Sequence, residues 1–429
     1  MFPSSPTAGL AQNTSYKVVL PFYIYGALSF LIATILLLFS SSALVQHYFH
    51  PQTLAITHAM ALGWGTMMIL GASHQLVPVL IEGKLYSDAL AYLSFLSAAI
   101  GIPLLVYGFY HFYFGWEAQW GAILINAAIV FYLINIAVSM IKSKKENVHA
   151  VFVFTATLWL LITIIVGLFL VFNFTHNILS QDSLHYLPLH AHLGIIGWFL
   201  LLVLGVASRL IPLFLISKYH NVKILWWIYG LVNFGLISFI VIFLYIGKSW
   251  LYFFPLSAIL ISIIMFGFFC KKAYLDRLRK KVDDQLKISL FSVLMMLLPL
   301  LVLLIIILMM LFSVDDPKLI LTYGFCIFFG WITAIIFGMT FKTLPFILWN
   351  KAYHDKAGMG KTPNPRELFN NKIFQIMSVF YLAGFILLIA GILISNTFIL
   401  KFAALLLVVT AFLYNTNVFK MIMHKPKKI

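Results

Sequence analysis

Most of this chain consists of apolar runs that are long enough to cross a lipid bilayer as helices. A helix needs about 20 residues to span about 30 Å of hydrocarbon. Hydrophobic residues make up 63% of the 429 residues and charged residues only 9%. The sequence therefore predicts an all-α integral membrane protein with one membrane domain, residues 1–429. The twelve predicted transmembrane helices are about 18–42, 54–81, 88–112, 118–141, 150–173, 188–217, 222–246, 248–270, 288–312, 319–348, 372–394 and 398–421.

Three of these runs share one pattern of small and aromatic residues. Each contains a Gly-Trp pair, a second glycine seven residues after the tryptophan, and a proline fourteen residues after it. The tryptophans are Trp64, Trp198 and Trp331, so the period is 134 and then 133 residues. A fixed period of this kind indicates an internal repeat. It predicts three four-helix repeats around a pseudo-threefold axis, with the marked runs as helices 2, 6 and 10: residues 1–145, 146–285 and 286–429.

The two glycines in each marked run are eight residues apart and lie near one face of the helix. The pairs are Gly63 and Gly71, Gly197 and Gly205, and Gly330 and Gly338. Small residues on one face allow helix backbones to approach closely in lipid. We therefore expect these glycines to form packing surfaces. Eleven residues after their tryptophans, Arg209 and Lys342 are expected to extend to the inner headgroups.

The positive charge of the chain is concentrated in alternate connections between the predicted helices. Placing the N-terminus in the cytoplasm puts 24 of the 28 Lys and Arg residues on that side. The positive-inside rule therefore predicts cytoplasmic N- and C-termini, in a bacterial inner membrane. It also explains the net charge of +16 without nucleic acid, for which the sequence has no basic module. Cytoplasmic segments are predicted at 271–287 and 349–371.

Two histidines lie within the marked helices at the same distance from the tryptophan. His58 and His192 each precede the tryptophan of their repeat by six residues. An imidazole inside the membrane is costly unless it is paired or ligated. Two interpretations follow: a hydrogen bond between helices, or ligation of a heme iron or a copper ion. His190, two residues before His192, points about 200° away around the helix and would face a different site.

The twelve Asp and Glu residues all fall in loops or at helix ends. Ion-coupled transporters and proton pumps usually need a carboxylate within the membrane. The acidic residues therefore argue against these two classes of protein.

Twelve helices in three repeats, with histidines on helices 2 and 6, resemble subunit I of the heme-copper oxidases and the related nitric oxide reductases. The chain also resembles the NnrS family of twelve-helix heme proteins linked to the nitric oxide response. The first resemblance implies that His58 ligates a low-spin heme. It implies that His192, or less well His190, binds the copper of the active site.

The chain departs from the oxidase pattern at three places. The helix 7 stretch Trp226 to Phe239 contains no histidine. Tyr323 and Phe325 stand on helix 10 at the positions equivalent to His190 and His192, and Ile196 stands where the family has a redox tyrosine. The resemblance therefore implies an incomplete copper site and leaves enzymatic activity as an oxidoreductase open.

The sequence and the resemblance together predict a heme- or metal-binding membrane protein that acts in respiratory or nitric oxide-related redox chemistry. The expected cofactor is a b-type heme, with copper as the second candidate. The expected partners are the lipid bilayer, a cytochrome or quinol as electron donor, and a small gas as ligand. The alternative is a non-catalytic transporter, or an assembly or interaction protein, that retains the oxidase-like fold.

Overall fold

The structure, a computed structural model, describes residues 14–143, 147–278, 281–353 and 362–425. It is all-α, and twelve of its helices are long and apolar enough to cross a membrane, which confirms the predicted number. We number these helices in chain order: α1 Tyr16–Phe39, α2 Pro51–Leu80, α3 Asp88–Tyr110, α4 Trp116–Ile141, α5 Val148–His176, α6 Leu187–Leu215, α7 Val222–Ile246, α8 Ser249–Leu275, α9 Asp284–Leu311, α10 Pro317–Tyr353, α11 Asn371–Leu393 and α12 Thr397–Ile422.

Two predicted connections are shorter than the sequence suggested. The helix α8 continues to Leu275, so it includes the first residues of the predicted segment 271–287. The helix α10 continues to Tyr353, although a loop was predicted from residue 349. Parts of both segments, residues 279–280 and 354–361, lie outside the described residues.

Several helices begin at a polar residue whose side chain accepts a hydrogen bond from the backbone N–H three positions on. This contact satisfies one of the N–H groups that a helix start leaves without a partner. The residues before α3, α5, α7, α9 and α12 act in this way: Ser87, Asn147, Asn221, Asp283 and Asn396.

The centre of the bundle is formed by α2, α6 and α10. In the most hydrophobic 18 residues of these helices, 78%, 78% and 83% of the residues are buried, against 50% or less in the other nine described spans. Each of the three contains a π-helical segment: Ala59–Thr66, Leu193–Leu200 and Cys326–Ile332. The residues immediately before these segments are His58, His192 and Phe325. Such segments interrupt the α-helical hydrogen bonding and frequently occur at functional sites.

The marked glycines form packing surfaces, as the sequence predicted. A Cβ atom added to Gly71 would lie 2.7 Å from the Cβ of Phe22 in α1. One added to Gly205 would overlap Phe152 in α5, and one added to Gly338 would lie 2.8 Å from the carbonyl oxygen of Gln285 in α9. Each of the three central helices therefore touches a neighbouring helix where only glycine fits.

The marked tryptophans connect the central helices by hydrogen bonds. Trp64 donates its indole N–H to the hydroxyl of Thr333 at 3.1 Å, and Trp198 donates to Thr66 at 3.2 Å. Thr66 and Thr333 each stand two residues after a marked tryptophan, and Leu200 holds that position after Trp198. The indole N–H of Trp331 has no hydrogen-bond partner among the described residues. The first two tryptophans are thus satisfied by a threonine of another central helix, and the third is not.

Lys342 forms an ion pair inside the protein instead of extending to the headgroups. Its ammonium lies 2.5 Å from a carboxylate oxygen of Asp283, and 10% of the lysine side chain is exposed. Asp283 also pairs with Arg366 and caps the start of α9. The expectation for Lys342 was wrong because the sequence does not reveal that this carboxylate lies within reach. The pair satisfies a cation that would be costly to bury alone.

We predict that Gly338→Ala strongly destabilises the protein. The new methyl group would meet backbone atoms of α9, which cannot move aside as a flexible side chain can. Overpacking of this kind costs about 1–3 kcal/mol or more. The measurement is thermal unfolding of the purified protein in detergent. The matched control is Gly267→Ala in α8, where an added Cβ meets nothing within 4 Å. Equal unfolding temperatures for the two variants would contradict the packing argument.

We predict that Leu200→Thr is more stable than Leu200→Val, by about 1 kcal/mol. The two new side chains have nearly the same shape, and only threonine would place a hydroxyl at the position that corresponds to Thr66 and Thr333, whose hydroxyls accept from the other two marked tryptophans. In an apolar environment without such a donor, the buried hydroxyl would make threonine the less stable of the two. Leu200→Thr should therefore unfold at a higher temperature than Leu200→Val if its hydroxyl accepts from Trp331. It should unfold at a lower temperature if no donor reaches the hydroxyl.

Candidate functional site

A cavity of about 530 Å³ lies within the bundle, near the N-terminal ends of α2, α6 and α10. Its described lining residues come from α2 to α10 and from short segments next to them. Most of the lining is aliphatic or aromatic. All three histidines that the sequence singled out, His58, His190 and His192, are in the wall.

The His58 ring is oriented by its own helix and by α3. Its Nδ1 lies 2.8 Å from the carbonyl oxygen of Leu54, one turn earlier. Because a carbonyl oxygen only accepts, Nδ1 carries the proton and donates it. The ring stacks on Phe109 with a centroid distance of 4.3 Å and an angle of 21°. The nitrogen left for a ligand is therefore Nε2.

The His190 ring is oriented by α5. Its Nδ1 donates to the carbonyl oxygen of Thr163 at 3.1 Å. A Cβ atom on Gly167 would lie 2.9 Å from Cε1 of His190, so a glycine is needed where the ring passes α5. The centroids of the His58 and His190 rings are 6.3 Å apart, and their planes differ by 21°. Neither Nε2 atom has a hydrogen bond to another described residue.

His192 faces a different part of the cavity wall. Its Nδ1 donates to the carbonyl oxygen of Pro188 at 2.8 Å, and its Nε2 accepts from the hydroxyl of Tyr323 in α10 at 3.3 Å. Phe239 of α7 packs on the ring with a centroid distance of 4.6 Å. The structure thus separates His190 from His192, as their spacing predicted. The histidine that lies close to His58 is His190, although His192 is the one with the same spacing from its tryptophan.

Little in the sequence indicates which groups hold these rings. Tyr323 stands at a helix 10 position where the oxidase resemblance implies a histidine. Its hydrogen bond to His192 was not predicted. The carbonyl of Thr163 has no sequence signal, because every residue has a carbonyl group. Gly167 is a single glycine in an apolar helix, and only the position of His190 explains it.

The donor groups suit a heme better than a bare metal ion. Among the described residues, no group of three or more His, Cys, Asp or Glu side chains could hold a metal ion. A copper ion would need such a group, whereas heme iron takes only its axial ligands from the protein. Two imidazoles on opposite sides of one metal ion have ring centres about 6 Å apart, because metal–nitrogen bonds are about 2 Å long. The observed 6.3 Å is close to that separation.

The cavity has few charged groups in its wall. Asp315 is the one carboxylate among the described lining residues, which include neither Lys nor Arg. Asp315 follows α9 and lies near Tyr48, another lining residue. Burial and the charge of Asp315 together raise the pKa of Tyr48. Tyr48 therefore keeps its proton and stays neutral at physiological pH.

No protein-family model matches the chain, and no curated protein sequence matches it.

Proposed function

We propose that this chain is a heme-binding integral membrane protein in which His58 and His190 would hold the heme iron. One observation carries the proposal: two half-buried imidazoles have ring centroids 6.3 Å apart in the wall of a cavity, and each has only Nδ1 in a hydrogen bond to a described residue. A cavity of about 530 Å³ is within the range that cofactor sites occupy, about 300–1,000 Å³.

The backbone contacts of the two histidines support a ligand role. A ligating histidine almost always donates its other ring N–H to a carbonyl or a carboxylate, which fixes the tautomer and makes the ligand more basic. Leu54 and Thr163 provide such carbonyls for His58 and His190. A heme held there would supply a one-electron redox centre. With both histidines holding it, such a heme would be suited to electron transfer rather than to binding a gas.

The proposed role is electron transfer in respiratory or nitric oxide-related redox chemistry. A cytochrome or a quinol would donate the electrons. The donor groups described above do not favour copper. We therefore propose a b-type heme alone and no complete oxygen-reducing centre.

We further propose that the bundle consists of three four-helix repeats around a pseudo-threefold axis, as in subunit I of the heme-copper oxidases. The π-helical segments support this, because each starts five residues before its Trp: Trp64, Trp198 and Trp331. The glycine contacts support it too, because the neighbouring helices α1, α5 and α9 are four apart in chain order.

A second candidate is a transporter or an assembly protein that binds no heme. The described lining includes no Lys or Arg that could pair with the two carboxylates of a heme. The Nδ1 atoms of His58 and His190 are also satisfied without a cofactor. The first observation favours an uncharged occupant of the cavity, and the second shows that the Nδ1 hydrogen bonds of the two histidines do not require a cofactor.

The absorption spectrum of the purified protein, expressed with ample heme, separates the two candidates. We expect a Soret band in the wild type that is lost or strongly reduced in His58→Ala and in His190→Ala. His192→Ala should keep it. The control is His74→Ala, because His74 donates Nδ1 to Leu70 at 2.7 Å in the same way but does not line the cavity. A wild type without heme would favour the second candidate.

We also propose that the N- and C-termini and the α8–α9 connection face the cytoplasm, in accordance with the positive-inside rule. Single cysteines introduced between residues 276 and 283 should react with a membrane-impermeant maleimide only after the cells are opened. Labelling of intact cells would reverse the orientation and place the histidines near the cytoplasmic face.

A further inference from the structure

We propose that a polar pocket at the starts of α9 and α11 binds the phosphate headgroup of an anionic phospholipid. This site is distinct from the histidine cavity and does not rest on the proposed heme.

The pocket has a volume of about 570 Å³ and is lined by residues at the N-terminal ends of both helices. Two hydrogen bonds join these ends. Gln375 of α11 donates to a carboxylate oxygen of Asp284 in α9 at 3.2 Å. Gln285 of α9 donates to Oδ1 of Asn371 in α11 at 3.3 Å. The two helix starts are therefore held beside one another, and the walls of the pocket belong to one connected unit.

Cationic side chains outnumber acidic ones around the pocket. Its described lining contains three cations and two carboxylates: Lys281, Lys287, Arg366, Asp283 and Asp284. Asp283 pairs with Arg366 and also with Lys342, which adds a fourth cation next to the lining. The ammonium of Lys287 lies 2.9 Å from Asp284. Two carboxylates thus serve four cations among the described residues, and the excess of positive charge favours an anion.

Three side chains in the lining have donor groups to offer such an anion. Lys281 is exposed and forms no ion pair with a described carboxylate. Asn371 is exposed too, and no described residue accepts a hydrogen bond from its Nδ2. The Arg366 side chain is 47% exposed, and its guanidinium has five N–H donors, more than its contact with Asp283 uses. Charged donors of this kind form strong hydrogen bonds with phosphate oxygens.

The position of the pocket favours a lipid over a free anion. Both α9 and α11 are long and apolar enough to cross a membrane, and both begin at the pocket. Exposed apolar side chains follow within three turns: Phe291 and Leu294 in α9, and Ile376 and Val379 in α11. Basic pockets between membrane helices bind anionic headgroups, whose acyl chains stay in the bilayer. The ligand class is therefore a phospholipid with a net negative headgroup.

The experiment uses the full-length protein in nanodiscs that contain phosphatidylglycerol and phosphatidylcholine in equal amounts and with identical acyl chains. Native mass spectrometry, after transfer of the protein to detergent, measures which lipid stays bound. We expect the wild type to retain phosphatidylglycerol in preference to phosphatidylcholine. Lys281→Gln should lower this preference roughly fivefold, because one basic side chain near the headgroup is lost. It breaks no ion pair among the described residues.

The matched control is Lys223→Gln at the start of α7, which removes the same charge from an exposed lysine outside the pocket lining. This variant should keep the wild-type preference. Inorganic phosphate in excess separates a lipid site from a site for free anions, and it should not displace the bound phosphatidylglycerol. The proposal is overturned if the wild type has no preference, or if Lys281→Gln lowers it no more than Lys223→Gln does. Displacement of the lipid by inorganic phosphate would also overturn it.

Discussion

The fold depends on satisfying polar groups inside a bundle of apolar helices. In hydrocarbon, each unsatisfied N–H or C=O group costs several kcal/mol, so helices form first and their polar side chains must then find partners. Trp64 and Trp198 do so across helix boundaries, through Thr333 and Thr66. These two bonds join the most buried helices, α2, α6 and α10.

The same requirement shapes the cavity. Each imidazole in the wall uses Nδ1 to satisfy a backbone carbonyl, and each is held by a different element: Leu54 of α2, Thr163 of α5 and Pro188 of α6. The partners of Nε2 then differ. His192 has Tyr323, whereas His58 and His190 have each other as neighbours at 6.3 Å. The wall therefore contains one hydrogen-bonded pair, His192 with Tyr323, and one pair of imidazoles, His58 and His190, whose Nε2 atoms could bind a ligand.

Much of the fold could be predicted from the sequence, because helix length and hydrophobicity are set by the bilayer. The twelve spans and the close approach at Gly71, Gly205 and Gly338 follow from local patterns. The site was predicted less well. Spacing from the tryptophan pointed to His192, but the neighbour of His58 is His190, because α6 turns it toward α5. The ion pair of Lys342 with Asp283 was also missed, since it joins residues 59 positions apart.

The π-helical segments limit how the central helices can change in length. A π turn connects the same ends as an α turn with one residue fewer, so deleting one residue there would restore regular α-helix and leave the flanking turns in place. In α2, His58 ends the regular helix before such a segment, and Trp64 lies within the segment. A deletion inside Ala59–Thr66 would therefore be absorbed locally. The same deletion in a regular part of α2 would rotate everything before it by about 100° relative to everything after it.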